Sequence, residues 1–108
     1  MKVNILGTEY EIKKLNEMEY PKLKKANANG LAELYAKELI ISTEIDDGSG
    51  TTYSKLEEFE NKVVRHEIIH AFFHESGLDN YGENEELVNW LALQVPKMLD
   101  VFKSANCL

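Results

Sequence analysis

Apolar and polar positions alternate near the N-terminus: Val3 and Ile5, then Tyr10 and Ile12, on either side of Gly7-Thr8. A period of two belongs to a strand with one buried face, so residues 2 to 15 are predicted to form a hairpin or bent strand. Pro21 and the run Asn27-Ala28-Asn29-Gly30 predict irregular chain over residues 16 to 29. Residues 31 to 42 combine helix formers with the β-rich Leu39-Ile40-Ile41-Ser42-Thr43. Two antiparallel strands bent at Tyr35-Ala36-Lys37-Glu38 are preferred to a helix there. Asp46-Asp47-Gly48-Ser49-Gly50 reads as a loop.

After that loop the period changes to that of a helix. Ser54-Lys55-Leu56-Glu57 has the form of a capping box, which predicts a helix starting there and ending near Gly77, a residue suited to the left-handed turn past a helix end. On a 3.6-residue helix His66, His70 and His74 fall within about 80° of one another, on the side that also carries Phe59, Val63 and Phe73. Glu67 borders that side. A second helix is predicted from Asn84, a favoured N-cap followed by Glu85 and Glu86, with Leu87, Val88, Trp90, Leu91, Val95 and Met98 as its apolar positions. Pro96 is expected to end or kink it, leaving Lys97 to Lys103 as a short amphipathic tail.

These elements make an α+β chain with a small antiparallel sheet of N-terminal strands packed on two helices. Its 108 residues are one domain's worth, 1–108, with a single modest core. The composition, 44% hydrophobic and 29% charged, is that of a globular chain and not of a disordered one. The longest apolar runs fall far short of the roughly 20 residues of a membrane span, and the first residues lack the pattern of a signal peptide. A cytoplasmic protein with no membrane partner is expected. A net charge of −7 has the wrong sign for a broad phosphate-neutralising surface, so nucleic acid is not an expected partner. Cys107, the lone cysteine, has no partner for an internal disulfide.

The stretch His66-Glu67-Ile68-Ile69-His70 carries the chemistry. Two imidazoles at i and i+4 project from one helix face and can converge on one ion, while the glutamate at i+1 stands beside the ion without binding it. Zn²⁺ held this way acidifies a bound water towards a pKa of about 7, and Glu67 can take its proton and pass it to a leaving amine. The competing reading, hydrogen-bonded core histidines, is disfavoured because unpaired imidazoles on an inward face are costly to desolvate.

A catalytic zinc usually takes three protein ligands. His74 lies about 12 Å along the axis from His66, so one tetrahedral ion cannot take all three histidines of a straight helix. The motif HExxHxxGxxH does not apply either, since Phe73 and Ser76 stand where it needs Gly and His. The third ligand is then a glutamate of the next helix, Glu85 or Glu86. In the thermolysin-like pattern the liganding Glu is followed four residues later by an Asp or Asn that orients a metal-bound His. Glu85 and Asn89 have that spacing; Glu86 and Trp90 do not. The metal ligands are therefore expected to be His66, His70 and Glu85.

His66-Glu67-Ile68-Ile69-His70-Ala71-Phe72-Phe73-His74, followed by Glu85-Glu86-Leu87-Val88-Asn89-Trp90-Leu91-Ala92, resembles the small HExxH metallopeptidases of the ImmA/IrrE type, and more closely still some short phage and prophage proteins. The likeness covers residues 54 to 99. It implies a minimal zincin-like domain in which Glu67 is the base, Zn²⁺ the cofactor and a peptide or protein the substrate. It also implies that a strand from residues 31 to 42 lies beside the cleft and aligns an extended peptide, and that a phage or mobile-element regulatory protein is cleaved. Two positions depart from the family pattern, Ile69 for Gly and Val88 for Ala, and the extra domain that many relatives carry is not expected here. The alternative expectation is a non-catalytic module whose zinc only staples two helices.

Overall fold

The computed structural model describes residues 1–45 and 57–108. The loop read at residues 46–50 and the capping box opening at Ser54 lie outside them. Strands β1 (Lys2–Ile5) and β2 (Thr8–Leu15) form the expected hairpin, pairing Val3 with Tyr10 and Ile5 with Thr8. Its two turn residues, Leu6 and Gly7, have φ of 51° and 94°, the positive values a tight I′-type hairpin turn needs, and the Asn4 side chain accepts a hydrogen bond from the Gly7 N–H. Strands β3 (Gly30–Glu33) and β4 (Glu38–Ser42) are antiparallel, as preferred for residues 31 to 42.

The sheet as a whole departs from the antiparallel expectation. Its order is β1-β2-β4-β3, and β2 and β4 are parallel, with Ile12 beside Leu39 and Leu15 beside Ser42. The chain between them runs through residues 16 to 37, long enough to cross over and return in the same direction. Part of that connection, expected to be irregular, is a one-turn helix α1 (Lys22–Lys25). Pro21 enters it with φ already near the helical value, and its Leu23 is fully buried. β4 becomes an inner strand, which is why Leu39, Ile40 and Ile41 are all buried although they alternate between the two faces. β3 is left at an edge.

Helices α2 (Glu57–Glu75), α3 (Asp79–Gly82) and α4 (Glu85–Ser104) complete the architecture, an α+β fold with a small mixed sheet. α2 lies against the sheet, its Ala71 packed among Ile5, Tyr10 and Leu39, with Ile68 beside them. Its buried residues are Val63, Glu67 and Ala71. The inward direction is therefore centred on Glu67, and the histidines take the flank beside it. Gly77, with φ of 75°, follows the end of α2 in the left-handed conformation expected of it. The connection to α4 holds α3, and the Asn84 side chain caps α4 by accepting from the Leu87 N–H.

Pro96 does not end α4, which continues through it to Ser104. A proline inside a helix leaves the carbonyl four residues earlier without its N–H partner. Here that carbonyl belongs to Ala92, and Arg65 of α2 donates its Nε–H to it at 2.8 Å. A tertiary contact replaces the lost intrahelical bond and fastens α4 to α2. Among the described residues, no helix is long and apolar enough to cross a membrane.

Candidate metal centre

One turn of α2 separates His66 from His70, and the first turn of α4 brings Glu85 in front of both. The Nε2 atoms of His66 and His70 are 3.0 Å apart. Glu85 bridges them, Oε2 lying 2.9 Å from His66 Nε2 and Oε1 2.9 Å from His70 Nε2. Among the described residues these three form the group of side chains able to share a metal ion, and Glu86 is not in it. The histidine side chains are 14% exposed and that of Glu85 62%, so the site opens to solvent on the Glu85 side.

The outward contacts of the rings show what the centre needs. His70 Nδ1 lies 2.6 Å from the carbonyl oxygen of Gly82, so that nitrogen carries a proton, and in the neutral ring Nε2 presents its lone pair to the centre. The His66 ring hydrogen-bonds the Asn89 side chain. Burial holds the His66 imidazole below its usual range, and His70 pushes the same way against the pull of Glu85 and Asn89. A ring nitrogen at 2.9 Å from a carboxylate oxygen calls for a proton or a metal cation between them. Tetrahedral zinc bonded at about 2.0–2.1 Å would set neighbouring ligand atoms about 3.3 Å apart, so a movement of a few tenths of an ångström converts the observed triangle into a ligand set. The residues fit a zinc ion.

Glu67 is 5% exposed, deeper than the histidines on either side. Burial pushes its carboxyl up to about 8, and the negative charge of Glu85 adds to the effect. Gly30 of β3 makes room for it: a Cβ at that position would stand 2.9 Å from Glu67 Oε2 and 3.0 Å from Val63 Cγ1. The sheet edge and the HExxH helix thus approach closely at the glutamate that the motif singles out.

Three consecutive cavities run along β3 past this group. One of about 380 Å³ is walled by Asn27, Phe59, Lys62 and Asn89, with His66, Glu67 and Glu85 at its inner end. The next, of about 330 Å³, lies over Gly30, Ala32, His66 and His70. The last, of about 260 Å³, is bounded by Leu34, Asp79 and Glu83 beside His70. The Ser42 N–H donates to the Asn29 carbonyl, so by antiparallel alternation Leu31 and Glu33 face β4 while Gly30 and Ala32 direct their N–H and C=O groups outward. The edge of β3 therefore offers backbone hydrogen bonds along the groove.

His74 and Tyr81, the other polar rings near this end of α2, are not brought into the triad. His74 Nδ1 lies 2.7 Å from Asp79 Oδ1, and its ring meets that of Tyr35 edge-on with centroids 5.7 Å apart. Tyr81 stacks on Phe73. Two contributors escaped the sequence reading, Gly82 through its carbonyl and Gly30 through its missing side chain. Both act through backbone placement, and the only local sign of either is that it is a glycine next to a turn. Comparison with protein-family models, with curated proteins and with solved structures gives no match.

Proposed function

We propose that the chain is a zinc-dependent peptidase in which His66, His70 and Glu85 hold the metal and Glu67 is the general base. The observation that carries this reading is the convergence of two imidazole nitrogens and a carboxylate on one point, with the far nitrogen of His70 already committed to the Gly82 carbonyl. Zinc, when bound, supplies a Lewis acid that polarises the scissile carbonyl and acidifies a water. Burial and Glu85 push the Glu67 carboxyl up to about 8, and a divalent cation held beside it would lower it again, so that it could accept a proton near neutral pH. It then returns that proton to the departing amine nitrogen. Gly30 and Ala32 supply the N–H and C=O groups that hold the peptide extended beside these residues, by strand addition to the edge of β3. The resemblance to the ImmA/IrrE type adds a substrate class, a regulatory protein of a phage or mobile element acted on inside the cell.

Metal content per chain, measured on tag-free protein purified without chelators, tests the site. About one zinc per chain, lost in Glu85→Ala and retained in Glu86→Ala, is the expected result. Zinc absent even after its addition would overturn the reading. A second reading, a zinc that only staples α2 to α4, draws on the fact that all three ligands come from those two helices. It predicts that Glu67→Gln alters no activity, whereas the peptidase reading predicts loss of hydrolysis with the metal retained.

A further inference from the structure

The groove along β3 is unlike at its two ends. At the end where β3 begins, the half-buried Lys62 lines the wall and lays its ammonium over the Phe59 ring, 5.5 Å from the centroid. The same cavity is walled by Asn27, two residues past the end of α1, whose Lys24 and Lys25 are exposed. At the other end the exposed Asp79 and Glu83 stand beside His70 and the apolar Leu34. In a chain of net charge −7, Lys62 is the one lysine or arginine among the described residues that line the three cavities. The metal triad lies between the two ends, so a ligand spanning the groove meets opposite charges on opposite sides of the reacting position.

The direction of an added strand follows from β3. Antiparallel pairing is the more stable arrangement, and the outward N–H and C=O groups of Gly30 and Ala32 offer such a pair. β3 runs from Gly30, by the lysine end, to Glu33, by the acidic end. An antiparallel peptide would therefore enter by Asp79 and Glu83, cross the triad and leave by Lys62.

We infer that the groove is polarised for charge order: it takes an extended peptide with basic residues on the N-terminal side of the bond facing the triad and acidic residues on the C-terminal side. Lys62 and Glu83 are the specificity-determining residues. Ion pairs at partly exposed positions are individually weak, but reversing the order replaces attraction by repulsion at both ends at once.

This inference rests on the peptidase reading, and its test separates the two. Two fluorescein-labelled peptides of identical composition, one with lysines N-terminal and glutamates C-terminal of an Ala-Leu centre and the other reversed, are titrated by anisotropy into zinc-loaded Glu67→Gln protein. Hydrolysis of both by the unmodified protein is followed in parallel. The basic-to-acidic peptide is expected to bind about tenfold tighter than its reverse, with the preference shrinking as salt is raised. Lys62→Glu and Glu83→Lys should each cut the preference several-fold, and together invert it. Equal affinity for the two peptides overturns the polarity, whether or not they are cleaved. Ordered binding without hydrolysis supports the polarity and sinks the peptidase reading alone, and no binding of either peptide overturns both.

Discussion

Glu67 and Glu75 are carried by the same helix, both turned from water, and the fold treats them in opposite ways. Glu75 sits at the C-terminal end of α2, where the helix dipole disfavours a negative charge. Thr8 Oγ1 donates to its Oε1 at 2.7 Å, and Tyr10 Oη and Lys37 Nζ reach its Oε2 at 2.6 and 2.8 Å. The hydrogen bonds from Lys37, Tyr10 and Thr8 hold its carboxyl down to about 2. Glu67 has burial and another carboxylate as its chief influences and is pushed up to about 8. The difference teaches what each is for. Glu75 is a fastening that ties α2 to the β1-β2 hairpin and to the turn before β4, and its donors leave no proton to exchange. Glu67 is held where its carboxyl can take a proton, which costs stability and would serve the proposed reaction.

The largest expected effect comes from exchanging the two treatments. Glu67→Gln should lower peptide hydrolysis by about 10²- to 10⁴-fold with zinc content unchanged, while Glu75→Gln should lower the melting temperature and leave the turnover of folded protein near that of the unmodified chain. Initial rates, metal analysis and calorimetry on both variants check this, and equal rate losses would erase the contrast. Next in size is Asn89→Ala, which frees the His66 ring and should weaken zinc binding by about 10- to 100-fold in a competitive chelator titration.

The pH dependence of stability should be a mirror image for the two residues. The folded value of Glu75, about 2, lies below the ordinary 4.5, so its contribution is present above about pH 4.5 and is lost as pH falls towards 2. The folded value of Glu67, about 8, lies above 4.5, so in metal-free protein its contribution is full below about pH 4.5 and is lost as pH rises through 8. Denaturant titrations across pH, with Glu75→Gln flattening only the acid limb and Glu67→Gln only the upper one, would sharpen the comparison. A swap of limbs would break it.

Smaller effects are expected away from the pair. Tyr10→Phe removes one donor from Glu75 in a fully buried position and should cost about 1 kcal/mol. Arg65→Met leaves the Ala92 carbonyl beside Pro96 without its partner and should cost about 1–3 kcal/mol. Chemical denaturation reads both. No loss in Arg65→Met would mean that α4 tolerates Pro96 without help from α2.

Much was legible in the sequence wherever the determinant is local. The period of two at Val3, Ile5, Tyr10 and Ile12 marked the hairpin because one face of a strand must be buried. The i, i+4 spacing of His66 and His70 placed two rings on one helix face, and Asn84 marked the start of α4 because its side chain caps a free N–H. The choice of Glu85 over Glu86 followed from its spacing to Asn89, and the structure brings both Glu85 and Asn89 to the histidines.

What only the tertiary structure decided depends on groups far apart in the chain. Whether β2 and β4 are parallel is settled by where a long connection returns, which no local pattern encodes. Pro96 could remain inside α4 because Arg65, on another helix, meets the carbonyl it orphaned. The inward direction of α2 turned from the histidines to Glu67 because Gly30 lets the sheet edge come close at that residue. Spacing along a helix specifies which side chains share a face, whereas burial and charge partners, which set one glutamate near 8 and the other near 2, exist only once distant segments have packed.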